Sequence, residues 1–149
     1  MHIVIGTDHR GFLLKEKVKK ELQEGGHIVE DVGAHALNPG DDYPDYAYAV
    51  ADSVAKDTIK KGIVFCGSGV GVDIVANKVD GIRCGYAASS KEVASARRDD
   101  NINVLAIGVD ILSPGETQAC ITAFLTTFYE EHDKYERRIK KISAIEKHE

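Results

Sequence analysis

Hydrophobic and polar positions along the chain follow two periods that take turns. Short apolar runs at Met1–Thr7, His27–Val32, Ile63–Phe65, Gly81–Ala87 and Asn103–Gly108 are bounded by glycines and polar turn residues, and they read as buried strands. Between them apolar residues recur at helical spacing. Leu14, Val18 and Leu22 form one stripe, which Gly25-Gly26 stops. A second helix, Tyr46 to Ala55, is apolar through Ala47, Val50, Ala51 and Val54, and a third carries Val70, Ile74 and Lys78 in register. Ser89 or Ser90 is placed to cap a helix reaching about Arg98, with Glu92 set for a capping box. Ser113-Pro114 opens another that continues through Ala119, Ala123 and Phe124 to about Phe128. The last, Asp133 to Lys147, has Ile139, Ile142 and Ile145 as its stripe. Gly33 to Asp45 is a polar loop with turn signals at Asn38-Pro39-Gly40 and Tyr43-Pro44.

Strands that alternate with helices predict an α/β fold, a parallel sheet covered on both faces. The 149 residues form one domain, 1–149, without repeat, linker or low-complexity tract. In such sheets ligands bind at the carboxyl ends of strands where the strand order reverses. An order of 2-1-3-4-5 puts that reversal between strands one and three, which brings Asp8-His9 beside Cys66.

Composition narrows the partners. A hydrophobic content of 43%, a charged content of 29% and a net charge of −5 describe an ordinary globular chain with no general basic field for nucleic acid. No apolar run approaches the roughly 20 residues of a membrane span. The uncharged start, Met1 to Gly6, reads as a strand rather than a signal peptide. The three cysteines, Cys66, Cys84 and Cys120, have no metal-site spacing, and their odd number suits a reducing cytoplasm. Cys84 and Cys120 read as packing residues, and His2, His27, His35, His132 and His148 as solvated or ordinary core groups.

The candidate chemistry lies in Cys66-Gly67-Ser68-Gly69-Val70-Gly71, a strand end turning into a helix. Glycines there leave backbone N–H groups uncovered, and the helix behind adds its positive dipole end, so the loop can hold a phosphate or a developing oxyanion. The same field favours a thiolate at its mouth. A cysteine closing a buried strand is also a common packing residue, so the loop alone leaves both roles open. It lacks the Gly-x-Gly-x-x-Gly spacing of a dinucleotide site, and Asp73 lies too close to serve as the ribose-binding acid of that motif.

Thr7-Asp8-His9-Arg10-Gly11, Asp42-Tyr43-Pro44, the Cys66–Gly71 loop, Ala76-Asn77-Lys78, Gly81-Ile82-Arg83 and Asn103-Val104-Leu105-Ala106 occur in this order. As a set they resemble the sugar-phosphate isomerases of the ribose-5-phosphate isomerase B and galactose-6-phosphate isomerase family, over essentially the whole chain. The resemblance implies a single Rossmann-like three-layer domain whose C-terminal helix reaches a partner subunit, forming a homodimer with shared active sites. It implies an aldose–ketose isomerase of a small phosphorylated sugar, without metal or other cofactor, that works through a cis-enediol(ate). Cys66 then matches the base. The amides of Gly67, Ser68, Gly69, Val70 and Gly71, assisted by the Ser68 hydroxyl, match the groups that hold the enediolate oxygens. Asp8 and His9 match residues contacting sugar and phosphate, and Lys134 and Arg138 match phosphate-binding positions on the C-terminal helix. A donor aimed at such an oxygen is commonly worth about 3–4 kcal/mol, and a well-tuned base about 10²–10⁴-fold.

The chain departs from the family's pattern in three places. Asp99 and Asp100 stand where ring-opening members carry His followed by Asn, Asp110 where an arginine often follows strand five, and Lys134 at a position often arginine. Asp99 and Asp100 are candidates for substrate contact or an altered proton relay, and Arg10 for the missing phosphate contact. The basic run Lys134, Arg137, Arg138, Lys140 and Lys141 also fits a solvated helix face, and Tyr43 and Tyr46 either line the pocket or pack. A binding module that holds a sugar phosphate or nucleotide without turning it over is the alternative function. Redox sensing by Cys66 is a third.

Overall fold

The computed structural model describes residues 1–147, so His148 lies outside the described residues. Five strands, β1 (His2–Thr7), β2 (Ile28–Asp31), β3 (Lys61–Cys66), β4 (Cys84–Tyr86) and β5 (Val104–Gly108), form one parallel sheet. The helices are α1 (Phe12–Glu24), α2 (Tyr43–Lys56), α3 (Val70–Ala76), α4 (Ser90–Asp100), α5 (Pro114–Thr126) and α6 (Asp133–Glu146).

Successive strand residues point to opposite faces, and the two cores divide accordingly. Ile3, Ile5, Ile63, Phe65, Leu105 and Ile107 pack on one side with Val18 and Leu22 of α1, Val93 of α4 and Phe124 of α5. Val4, Val64, Cys66 and Ala106 pack on the other with Val50 of α2 and Val72 of α3. This is the expected three-layer arrangement.

The strand order is β2-β1-β3-β5-β4, which corrects the expected 2-1-3-4-5. The two strands differ in the way their positions require. Every residue of β5 is buried, as a strand covered on both faces and paired on both edges must be. The three-residue β4 is half-buried and takes the edge, where a short strand offers little unpaired backbone. The reversal of order between β1 and β3 is unaffected.

Local signals place most helix ends. The Ser89 hydroxyl accepts the Glu92 N–H at 3.2 Å, as expected for the start of α4. The reciprocal capping box forms at Ser113 and Glu116 instead, where the Ser113 N–H donates to the Glu116 carboxylate at 2.7 Å. Helix α2 begins at Tyr43 rather than Tyr46, with Pro44 in its first turn, a place where its missing N–H costs nothing. In α3 the buried residues are Val72 and Ala76, while Val70 and Ile74 are 50% and 53% exposed. Their spacing marks a real apolar stripe, but it faces away from this chain's core. Among the described residues no helix is long and apolar enough to cross a membrane.

Candidate active site

Register along β1 and β3 sets the site. Thr7 stands opposite Phe65, so the next residues, Asp8 and Cys66, leave the sheet at the same level. The single hydrogen of the Thr7 hydroxyl lies within reach of the Asp8 carbonyl at 2.9 Å and the Phe65 carbonyl at 3.2 Å, which holds the two strand ends together. Buried Asp8 then caps a 3-10 turn, His9–Gly11, by accepting the Arg10 N–H at 3.0 Å.

On the neighbouring strand Cys66 is 4% exposed, with its sulfur at the floor of the glycine loop. Gly69 has φ +79°, a conformation that L side chains rarely adopt, and a Cβ there would lie 2.7 Å from the Gly108 nitrogen. That backbone turn aims the Gly69 N–H at the Cys66 Sγ, 3.1 Å away. The Val70 N–H donates to the Ser68 hydroxyl at 3.2 Å. The carbonyls of Cys66 and Gly67 accept from Val109 and Asp110, at 2.9 and 3.0 Å, which pins the loop to the end of β5. Among the described residues the N–H groups of Gly67 and Ser68 have no hydrogen-bond partner, which leaves two adjacent donors for a ligand oxygen. Tyr43 packs over Gly71, where a Cβ would lie 2.6 Å from its ring.

A charged pair closes the mouth. The Arg10 guanidinium hydrogen-bonds the Asp110 carboxylate, and a Cβ on Gly67 would lie 3.0 Å from that carboxylate's Oδ2. The residue in the place of an expected arginine therefore holds another arginine over the loop. Beside it Asp41, from the loop before α2, accepts the His9 N–H at 2.9 Å and lies 2.7 Å from the His9 Nδ1. The Tyr46 phenol faces the same group, and burial first, then the Asp41 charge, pushes its pKa up.

Beneath the corner a buried lysine braces the end of β2. Lys15, 0% exposed, donates to both oxygens of Asp31 at 2.9 Å and to the Ala34 carbonyl at 2.6 Å, and Lys19 joins Asp31 at 2.9 Å. The Thr7 and Ala34 amides in turn exchange 2.8 Å hydrogen bonds with the Gly33 and Thr7 carbonyls. Burial alone would raise the pKa of Asp31, but the hydrogen bonds from Lys15, Lys19 and the Gly33 amide outweigh it and leave it lowered.

The structure therefore gathers Asp8, His9, Cys66, Gly67, Ser68, Gly69, Val70 and Gly71. It does not gather Asp99, Asp100, Lys134 and Arg138 with them. Helix α4 runs back against the strands and ends where Arg83, just before β4, donates to the Asp100 and Asn101 carbonyls at 2.9 and 3.2 Å. That is the amino end of the sheet, about 15 Å from the site at 3.3 Å per strand residue. Helix α6 lies along the same end. Its Glu146 accepts the Gly81 N–H at 3.0 Å, and near its start Tyr135 and Lys134 stand close to Asp99. The Asp99 pKa is lowered, chiefly by the hydrogen bond from Arg98, with Tyr135 and Lys134 adding to it.

Asp41 and Lys15 escape the sequence reading. Asp41 is one of several polar residues in its loop, and Lys15 is one of four lysines on its helix. Cys84, expected as packing, packs against the core from the edge strand and also lies beside Asp73, and burial, with that carboxylate, drives its thiol pKa well up.

Comparison with known proteins agrees over the whole chain. Residues 3–142 match a family model described as Ribose/Galactose Isomerase. A protein of Mycoplasma genitalium named probable ribose-5-phosphate isomerase B is 39% identical over 147 residues, covering 98% of this chain and 96% of its own. The crystal structure of ribose-5-phosphate isomerase B from that organism with bound ribulose 5-phosphate has a TM-score of 0.94 at 38% identity, covering 99% of this chain and 97% of the other. The Clostridium thermocellum ribose-5-phosphate isomerase B structure has a TM-score of 0.93 at 35% identity and 99% coverage of both chains.

Proposed function

The chain belongs to the ribose/galactose isomerase family, and on that premise we propose that it interconverts ribose 5-phosphate and ribulose 5-phosphate with Cys66 moving the proton. As a class it is a sugar-phosphate aldose–ketose isomerase. The observation that carries the finer reading is the convergence of the Cys66 sulfur, the unpartnered Gly67 and Ser68 amides and the Asp8-His9 corner at the carboxyl ends of β1 and β3.

The hydrogen beside a carbonyl is weakly acidic, and its removal leaves negative charge on the carbonyl oxygen. A sulfur held by the Gly69 N–H is a base with fixed aim, and the loop amides meet the oxygen as its charge grows. Once the cis-enediolate has formed, the hydroxyl proton passes from the second oxygen to the first and the same thiol returns its proton to the neighbouring carbon, so that aldose becomes ketose and the base is regenerated. The Ser68 hydroxyl lies on the same loop to steady a neighbouring hydroxyl. Asp8 and His9 hold the sugar, and Arg10 meets its phosphate. Binding the remote phosphate keeps the reacting carbons in line with the sulfur. The non-catalytic binding module is not favoured, because the named relatives are isomerases.

The unit that does this is a homodimer with shared sites. Three observations support it. Helix α6 has no buried residue, although Ile139, Ile142 and Ile145 give it an apolar stripe. Val70, Ile74 and Ile111 expose apolar surface around the glycine loop. Lys134 and Arg138, cations suited to phosphate, sit at the wrong end of their own sheet. A second copy related by a two-fold axis brings its α6 and the adjoining Asp99 and Asp100 to the Cys66 loop, so the phosphate is clamped from both chains. Asp99 then takes the position of a proton relay for ring opening, and Asp100 that of a substrate contact.

The test is a panel of tetrose, pentose and hexose phosphates. Ribose 5-phosphate is expected to give the highest kcat/KM, and a hexose or tetrose phosphate turned over faster contradicts the assignment of the sugar.

A further inference from the structure

Asp41 makes a contact that folding alone does not require. Its carboxylate is 5% exposed, and one oxygen, Oδ1, serves both the backbone N–H and the ring Nδ1 of His9, at 2.9 and 2.7 Å. The other oxygen, Oδ2, is buried and, among the described residues, makes no hydrogen bond of ordinary geometry, although the Tyr46 phenol faces the carboxylate. Burying a carboxylate with one oxygen poorly satisfied costs stability, and the close contact of the other oxygen with the His9 ring is what the geometry sets against that cost. The backbone bond by itself would tether the loop to the 3-10 turn, and the ring contact is additional.

A carboxylate only accepts, so an ionised Asp41 requires hydrogen on the His9 Nδ1. That fixes the tautomer and stops the ring from turning, and it leaves Nε2 as the free nitrogen. Among the described residues Nε2 has no hydrogen-bond partner, and the side chain is 29% exposed beside the crevice. We propose that Asp41 is a positioning residue. It locks the His9 imidazole in one tautomer and one orientation, so that Nε2 addresses the sugar phosphate bound against the Cys66 loop. This rests on the reading of His9 as a substrate contact.

The experiment is a double-mutant cycle with ribose 5-phosphate as substrate, joined to a ¹⁵N spectrum of the His9 ring. Asp41→Ala is expected to lower kcat/KM by about 10²-fold, the scale of a misplaced contact group. Asp41→Asn keeps an acceptor at Oδ1 and is expected to recover most of that loss. In a His9→Ala background, Asp41→Ala is expected to change the rate by less than about 2-fold, because its effect passes through the ring. The spectrum is expected to show the Nδ1–H tautomer in the parent and in Asp41→Asn, and to lose it in Asp41→Ala. An equal loss from Asp41→Ala with and without His9, or an unchanged tautomer, overturns the proposal. Full activity in His9→Ala overturns the substrate-contact reading itself, and the spectrum then reports on the Asp41 contact separately.

Discussion

The N–H of Gly69 and the sulfur of Cys66 are 3.1 Å apart, and the left-handed backbone at Gly69 makes that possible. A side chain at this glycine is excluded twice, by φ +79° and by a Gly108 nitrogen that would lie 2.7 Å from its Cβ. Gly69→Ala is therefore expected to displace the amides from the reacting oxygen and lower kcat by about 10²-fold, the scale of one lost oxyanion donor. Steady-state kinetics beside a thermal melt checks this. A wild-type kcat would show that the loop's geometry is idle.

Arg10 and Asp110 form a pair with side chains 54% and 49% exposed, and such pairs add only about 0–1 kcal/mol to stability. Arg10→Ala is accordingly expected to leave the melting temperature nearly unchanged and to raise KM for ribose 5-phosphate about 10-fold, a loss of about 1.4 kcal/mol of binding. Kinetics at two salt concentrations checks it, since a phosphate contact at the mouth weakens as salt rises.

Stability should respond to the buried Lys15. Asp31 has a folded pKa below its unfolded value of about 3.9. Its contribution is complete above that value and fades as pH falls through the folded pKa, so an acid limb below about pH 4 is expected in ΔG of unfolding. Lys15→Met should cost about 3 kcal/mol, the lower end for breaking a buried pair because Lys19 still reaches Asp31, and should flatten that limb. Urea unfolding between pH 3 and pH 7 measures both.

Shared sites have an arithmetic consequence. Cys66→Ala and Arg138→Ala proteins should each be nearly inactive alone. Unfolded together and refolded, half the dimers carry one chain of each kind, and in those one of the two sites has both residues intact. Activity should return to about a quarter of wild type. No recovery would place Arg138 in the site of its own chain, and an Arg138→Ala protein active by itself would place it outside catalysis.

The particular residues show which signals lie in sequence and which do not. The apolar runs of β1, β3 and β5, the glycine turn after Cys66 and Asp8-His9 were legible because each depends on neighbours a few positions away. The order of β4 and β5 was not, since parallel strands are joined by crossovers whose length says little about which strand they reach. The full burial of Val104 to Ile107 against the half-burial of Cys84 to Tyr86 settles it. The helical spacing of Val70 and Ile74 reports a stripe without saying what covers it, and in the fold both are half-exposed. Asp41 was invisible for the opposite reason, being a polar loop residue whose partner, His9, lies 32 positions earlier.

Solvent-deuterium exchange into ribose 5-phosphate tests the role of Cys66 most directly, because it follows the proton and not the sugar. Wild-type protein should introduce deuterium at the carbon beside the carbonyl as isomerisation proceeds. Cys66→Ala, folded and still binding the sugar phosphate, should lose that exchange by about 10²–10⁴-fold, the usual contribution of a general base. Exchange at the wild-type rate in Cys66→Ala would mean that another group takes the proton.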